Sequence, residues 1–243
     1  MSRIYGDVKE LMTEAARDLW ELSVEVRPKS YQNKDIEGMD DYITKEIQNY
    51  MYSLVDMPDP ENLFLFEDTR AWADEEFMER IMIGARFKNP GDAWKIRPET
   101  WAEFLVLGKF DYTYNERINY ERNLDKIGRE LVRNPDTRQA WLPIFHPKDV
   151  NWLGGERRIP CSLGYHFMLR EGVLNLTYIQ RSADLVKHFG NDVYLAWSML
   201  DYVAHQVGVK RGMLTHVIFS LHSYKRDWPK LQDGISKKIR DNG

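Results

Sequence analysis

Residues Ile179 to Val193 read IQRSADLVKHFGNDV. They are entered from VLNLTYIQ (173–180), an apolar run rich in β-branched and aromatic side chains that reads as a strand. They are left through DVYLAWSMLDYVAHQVG (192–208), which is strongly helical, apolar on most sides and closed by Gly208 as a cap. Between strand and helix stand Arg181, Ser182, Asp184, Asn191 and Asp192. A buried strand that ends in a guanidinium, a hydroxyl and a carboxylate, next to an amide–acid pair, is shaped to bind something.

Outward from this unit, CSLGYHFMLREG (161–172) reads as a second strand, joined to the first through a hairpin at Arg170-Glu171-Gly172. MLTHVIFSLHSY (213–224) and RQAWLPIF (138–145) add further strands. Leu11, Ala15, Ala16, Leu19 and Trp20 recur at helical spacing and predict an opening helix that ends near ELSVEV (21–26). RPKSYQNKDIEG (27–38) reads as loop, and MDDYITKEIQNYMYSLVD (39–56) as a second helix carrying Glu46. Tyr120, Leu124, Ile127 and Leu131 mark a third helix, whereas residues 58–111 mix Pro, Gly and charge without a clear period. The order predicts an α+β fold, one domain over residues 1–243, with a mixed sheet packed around one long buried helix.

Bulk composition narrows the function. With 243 residues, 43% hydrophobic, including 8 Trp, 13 Tyr and 10 Phe, the chain can bury a sizeable core. Its 34 basic and 38 acidic residues give a net charge of −4, which argues against DNA as a partner, because non-specific nucleic-acid affinity comes from excess Lys and Arg. A small anion held by a few arginines stays compatible with that balance. The single Cys161 allows no intrachain disulfide and no cysteine-rich zinc site, so no metal is expected. MSRIYGDVKELM lacks the apolar core of a signal peptide and no run approaches a membrane span, so the expected setting is cytoplasmic, with no membrane partner.

Several residues carry candidate chemistry, each with a plain alternative. Cys161 in GERRIPCSLGYHF follows Arg157 and Arg158, and nearby guanidinium groups favour thiolate over thiol; a buried strand cysteine is the plain reading. In QRSAD, which opens on Gln180, Arg181 and Ser182 both reach one phosphate only if the strand kinks or ends there; a solvated strand end is the alternative. Arg138 in NPDTRQ follows a helix and a turn and reads in isolation as a surface charge. His222 and Tyr224 share one strand face, which suits a hydroxyl-rich ligand or a pair of satisfied core groups.

Taken together and in order, NPDTRQ, IPCS, QRSAD, FGND and SLHSY resemble the thymidylate synthase family, most strongly from about Tyr114 to Trp228. The resemblance implies a thymidylate synthase-like fold whose sheet forms a homodimer interface. It also implies a folate-dependent one-carbon transfer to C5 of a pyrimidine nucleoside 5′-monophosphate, with 5,10-methylenetetrahydrofolate as cosubstrate. By position, Cys161 matches the nucleophile that adds to C6, Glu46 the glutamate that organises protons beside the base, and Tyr114 in YNERI the tyrosine near the C5 proton, with Tyr112 as the alternative register. Gln180, Arg181 and Ser182 match substrate ligands, and Arg138 an arginine donated across the dimer to the partner's phosphate. Asp184 matches the acid that holds the folate ring, and His222 and Tyr224 the pair on the sugar hydroxyl.

Departures from the synthase pattern bear on the substrate. Asn115 stands where the family has glycine in a Tyr-Gly turn, and since Asn tolerates φ > 0 better than other residues the turn is expected to survive; Gln139 replaces a second arginine, and Ser162 replaces the common histidine after the nucleophile. Arg27 or Lys29 would have to fill an N-terminal phosphate loop, and the tail SKKIRDNG lacks the apolar end that closes over a synthase site. Counted without a gap from Asp184, the base-reading position falls on Asp192, with Asn191 serving only if the loop is one residue shorter. An aspartate there looks like the phage deoxycytidylate hydroxymethylase branch. A carboxylate accepts from cytosine N4–H and from a protonated N3, and it repels uracil O4, a mismatch on the order of 2–5 kcal/mol in a dry site. The plain alternative for Asp192 is the N-cap of a helix beginning at Val193. The expectation is a (d)CMP hydroxymethylase; a thymidylate synthase, a cytidylate C5-methyltransferase and an inactive nucleotide-binding homolog remain as alternatives.

Overall fold

A computed structural model describes residues 3–31, 34–82, 88–154 and 157–241. Strand β1 (Arg3–Tyr5) leads into helix α1 (Val8–Leu22), followed by β2 (Val24–Val26), a small hairpin of β3 (Ser30–Tyr31) and β4 (Lys34–Asp35), and the long β5 (Thr44–Leu54). Four helices follow: α2 (Arg70–Ile81), α3 (Pro98–Trp101), α4 (Tyr114–Ile118) and α5 (Asn123–Arg133). The second half holds β6 (Trp141–Pro143), β7 (Ser162–Arg170), β8 (Val173–Gln180), β9 (Ala183–Asp184), α6 (Phe189–Val207), β10 (Lys210–Tyr224) and α7 (Trp228–Asp241).

The main sheet runs β1-β5-β10-β8-β7-β6, with β2 beside β5 and β9 beside β10. β10 lies antiparallel to β5 and parallel to β8, so the sheet is mixed, and α6 is the crossover that returns the chain from β8 through β9 to β10. This is the α+β arrangement the pattern predicts. The β7–β8 hairpin turns at Glu171 (φ 51°) and Gly172 (φ 74°), two left-handed residues whose twist matches the flanking strands. Helix α1 starts on Asp7, whose side chain accepts from the Glu10 N–H, and it buries Leu11, Ala15, Ala16 and Leu19. Helix α6 ends on Gly208 at φ 77°, whose N–H reaches the carbonyls of Ala204 and His205.

Two readings need correction. Residues 39–56 do not form a helix: from Thr44 onward Glu46 sits on β5, between β2 and β10. Lys, Glu and Gln favour helices locally, but Tyr50, Tyr52 and Leu54 alternate into the core, and pairing with β10 along the whole strand overrides the local preference. The other concerns Asn115. It does not form a left-handed turn, being the second residue of α4, where it is buried and its Nδ2 donates to the carbonyls of Glu79 (2.7 Å) and Met82 (3.1 Å). A side-chain amide thus ties α4 to the end of α2, which a glycine could not do.

One face of the sheet carries the core, in which Tyr52, Tyr165, Tyr178, Phe167 and Phe189 are fully buried. Ile4, Met51 and Phe219, on β1, β5 and β10, are exposed. A close approach fixes the start of α6: a Cβ on Gly190 would lie 2.0 Å from the Leu63 carbonyl oxygen, so only glycine lets the helix settle there. Among the described residues no helix is long and apolar enough to cross a membrane.

Helix α4 is anchored on its other side by a buried two-pronged ion pair, Arg117 Nη1 and Nη2 to Asp149 Oδ2 and Oδ1, both 2.9 Å. Asp149 is 0% exposed and also accepts from the His146 N–H. Removing one partner strands the other charge in the interior. Asp149→Ala is therefore expected to lower the unfolding free energy by about 3–5 kcal/mol in urea or guanidinium titration, with a smaller loss counting against the clamp.

Candidate active site

β7 and β8 run antiparallel, so the residue before β7 and the residue after β8 become neighbours: the Arg181 N–H donates to the Cys161 carbonyl at 2.8 Å. The β8 strand ends at Gln180 and the backbone bends, which frees Arg181 and Ser182 from strand alternation. The Arg181 guanidinium is held by backbone carbonyls, Nε to Pro160 (3.2 Å) and Nη2 to Ile159 (3.2 Å), and Nη2 lies 3.7 Å from Cys161 Sγ. A half-buried sulfur with a fixed cation beside it is open to the cleft as a candidate nucleophile.

Sulfur and guanidinium open onto a cleft of about 970 Å³. Its border includes Tyr112, Tyr114, Gln180, Asp184, Asp192 and His222. Tyr112 and Tyr114 meet edge-on at 5.8 Å, and burial pushes both phenols above their ordinary range. Both tyrosine registers proposed from sequence therefore reach the cleft. Ser182 and Tyr224 also line it. The His222 and Tyr224 rings sit 5.3 Å apart, and His222 Nδ1 is buried with no hydrogen-bond partner among the described residues. Asp184 is 7% exposed; the backbone N–H groups of Val186 (3.1 Å) and Lys187 (3.2 Å) donate to its Oδ1, while burial pushes its carboxyl up. Trp72, stacked on Trp101 (5.9 Å, 13°), adds a flat apolar surface to the lining of the same cleft.

The amide–acid pair is sorted by the helix that carries it. α6 begins at Phe189 with His188 as N-cap, so Asp192 lies inside its first turn and is not the cap. Asn191 is 3% exposed; its Oδ1 accepts from Thr69 Oγ1 (2.9 Å) and its Nδ2 reaches the Lys187 carbonyl (3.5 Å). Asp192 receives Gln180 Nε2 on Oδ2 at 2.7 Å, and its Oδ1 has no hydrogen-bond partner among the described residues. Burial raises its carboxyl from 3.8 to about 6, against the pull of Gln180 and Arg80.

Four residues singled out by sequence lie elsewhere. Glu46 does not line the cleft: it accepts from Ser220 Oγ at 2.9 Å within the sheet. Arg138 is exposed and also off the cleft of its own chain. Arg27 and Lys29 pair instead with Asp40 (3.7 Å) and Glu37 (3.2 Å). In their place the structure brings Arg157 and Arg158 to the border, Arg158 lying 4.1 Å over the Phe104 ring.

Glu76 was not found from sequence. It projects from α2 into the cleft, receives Arg80 Nε at 2.7 Å, and its carboxyl is pushed up by burial. Arg80 in turn lies 4.1 Å over the Tyr114 ring. The i,i+4 spacing of Glu76 and Arg80 in ADEEFMER was the available signal, set in the stretch whose period could not be read. Among the described residues no group of three His, Cys, Asp or Glu side chains is arranged to hold a metal ion.

Comparison with known proteins agrees with the fold. A family profile described as Thymidylate synthase matches residues 66–242. A Methanosarcina acetivorans protein named "Putative thymidylate synthase" is 31% identical over 186 residues, 68% of this chain and 81% of its own. The "Deoxyuridylate hydroxymethyltransferase" of Bacillus phage SP01 is 30% identical over 145 residues, 53% of this chain and 37% of its own. Among solved structures, thermostable thymidylate synthase A from Bacillus subtilis superposes with a TM-score of 0.74 at 15% identity, over 95% of this chain and 84% of its own.

The raised Asp192 carboxyl has a signed consequence. A folded protein that binds this proton more tightly than the unfolded chain loses stability as pH rises from the ordinary 3.8 to about 6, and the contribution is level above that. Asp192→Asn lacks the effect, so its unfolding free energy relative to wild type should improve steadily across that window. A difference independent of pH would show that Asp192 titrates normally.

Proposed function

The chain belongs to the thymidylate synthase family of pyrimidine C5 one-carbon transferases, and we propose that within it this protein converts a cytidine 5′-monophosphate to its 5-hydroxymethyl derivative. The observation that carries the reading is the division of labour at the start of α6. Asn191 spends its amide on Thr69 and Lys187, whereas Asp192 keeps one carboxylate oxygen open at the cleft. That oxygen can accept from the N4 amino group, and a proton on N3 would give the carboxylate a second, charge-assisted donor.

The chain's own groups supply the rest. Cys161 Sγ, held beside Arg181, attacks C6, and the N3 proton shared with Asp192 draws the displaced electron pair into the ring. Methylenetetrahydrofolate, when bound, supplies the one-carbon unit that C5 captures, and the Trp72–Trp101 stack with Asp184 fits a flat, hydrogen-bonding pterin. Loss of the C5 proton and departure of the carrier leave an exocyclic methylene on C5. Tyr114, with Tyr112 beside it, stands near the sulfur to take that proton through the hydroxyl or a water, and the carboxyl of Glu76 faces the same space. Water then adds to the methylene carbon, and expulsion of the sulfur from C6 restores the ring. Arg181, Ser182, Arg157 and Arg158 are the phosphate donors within the chain, and His222 Nδ1 with Tyr224 meets the sugar hydroxyl.

The name of the phage relative supports addition of water over hydride, although it gives a uridylate as substrate. Uridylate methylation is the second reading: the methanogen relative is named a thymidylate synthase, and a protonated Asp192, its carboxyl raised to about 6, could donate to uracil O4. Turnover of dCMP, CMP and dUMP side by side with methylenetetrahydrofolate, with products identified by mass, decides between them. The expected result is a hydroxymethylated cytidylate, loss of turnover in Cys161→Ser, and a shift toward dUMP in Asp192→Asn. Exclusive turnover of dUMP by the wild type would overturn the cytosine reading.

We also place this chain in a homodimer. The exposed Ile4, Met51 and Phe219 on the sheet suit burial against a second copy, which would bring the exposed Arg138 to the partner's phosphate. Sedimentation at micromolar concentration should give a dimer that Phe219→Lys dissociates; a monomeric, fully active wild type would reject the arrangement.

A further inference from the structure

Behind Asp192 runs a line of buried polar groups that the chemistry above does not use. Gln180 Nε2 donates to Asp192 Oδ2 (2.7 Å), Gln180 Oε1 meets His216 Nε2 (3.0 Å), and His216 Nδ1 meets the Tyr52 hydroxyl (2.9 Å). Gln180 is 2% exposed, and His216 and Tyr52 are 0% exposed. His216 lies between rings, 4.6 Å from Tyr178 and 6.1 Å from Phe189, both close to parallel, so the imidazole has no room to turn. Strand register fixes its position further, since His216 faces Tyr52 on one side and Tyr178 on the other.

Each link depends on the next. A carboxylate only accepts, so Gln180 must present its NH₂ to Asp192 and its carbonyl oxygen to His216. That carbonyl needs a donor, so the imidazole carries its proton on Nε2. Burial drops His216 to about 3, so the ring is neutral, and a neutral ring protonated on Nε2 has a bare Nδ1, which accepts from the Tyr52 hydroxyl. All three hydrogen bonds therefore donate toward Asp192. With the proton on Nδ1 instead, Gln180 Oε1 would face a lone pair and the amide would be driven to flip, turning its oxygen on Asp192.

We infer that His216 is a specificity-setting positioning residue: held as its Nε2–H tautomer, it locks the Gln180 amide so that Asp192 meets the base as a charged carboxylate. A flipped Gln180 would hold a proton on Asp192 Oδ2 and so discharge the anion that repels uracil O4 and that a protonated cytosine N3 needs, leaving a neutral Oδ1 that accepts uracil N3–H. The choice between the two bases thus extends three residues behind the one that touches them. This rests on the reading that Asp192 faces the base, and the tests below separate the two.

The first measurement needs no variant. Long-range ¹H–¹⁵N correlation on the wild-type protein distinguishes an Nε2–H from an Nδ1–H ring at His216; Nε2–H is expected, and an Nδ1–H ring or an imidazolium overturns the proposal. The second compares His216→Gln, whose amide can still donate to Gln180 Oε1, with His216→Phe, which cannot. The kcat/KM ratio for dCMP over dUMP should fall about tenfold or more in His216→Phe and return toward wild type in His216→Gln, the size expected for one buried polar group left unpaired. Equal ratios in folded samples of both variants and the wild type overturn it. Asp192→Asn supplies the control: if that change leaves the ratio untouched, base reading by Asp192 has failed, whereas a shift in Asp192→Asn with none in His216→Phe defeats only the relay.

Discussion

The hydrogen bond from the Arg181 N–H to the Cys161 carbonyl is where the rest of the cleft begins. It lies just past the ends of β7 and β8, so it brings together the first residue outside one strand and the first outside the other. Within the ladder, alternation would send neighbouring side chains to opposite faces. Beyond it the bend lets Arg181 curl back over Ile159 and Pro160 to the sulfur while Ser182 turns to the cleft. Sulfur and cation are thus joined through rigid backbone, and their separation does not depend on a flexible loop.

The same economy governs the acids. Asp184, Asp192 and Glu76 all reach the cleft, and burial raises each of them. They differ in what opposes that rise. Asp184 has backbone N–H donors, Asp192 an amide, and Glu76 a guanidinium from its own helix. Three acids in one cavity are thereby given different partners, which suits the base recognition and proton movement proposed for the site. None of the three depends on a metal-like cluster, and each is supported from an element of the fold: a strand end, the first turn of α6 and the α2 helix.

Legibility in the sequence followed the range of the interactions. The β7–β8 hairpin, α6 and its Gly208 cap are written in local periodicity and turn chemistry, and they were readable. Cys161, Arg181 and Asp184 lie within a few residues of those elements, so they fell into place with them. Glu46 was misplaced because helix-favouring Lys, Glu and Gln stand in a strand whose identity comes from pairing with β10, about 170 residues away in register. Glu76 was missed because the apolar residues of α2 (Ala71, Trp72, Ala73, Phe77, Met78 and Ile81) are not gathered on one face, leaving no strong period to detect. Two readings turned on single contacts. Asn115, taken for a turn former, is a helical residue bonded to α2. The Asp192 helix start was off because His188, an uncommon cap, takes that role.

The position proposed to read the base shows why composition at the site itself is not enough. Asn191 and Asp192 are adjacent and both polar, and sequence alone left them as rivals. What separates them is Thr69, a residue from a distant turn that occupies Asn191, together with Gln180 at the end of β8, which engages Asp192. Gly190 belongs to the same argument, because its bare backbone against Leu63 sets the rotation of the first turn of α6 and so decides which of the next two side chains faces inward. A larger residue at 190 would have to push the helix off Leu63, moving both rivals at once. On the proposed reading, substrate choice in this chain would therefore be a property of how a helix start is packed, with the acid proposed to meet the ring as its last element.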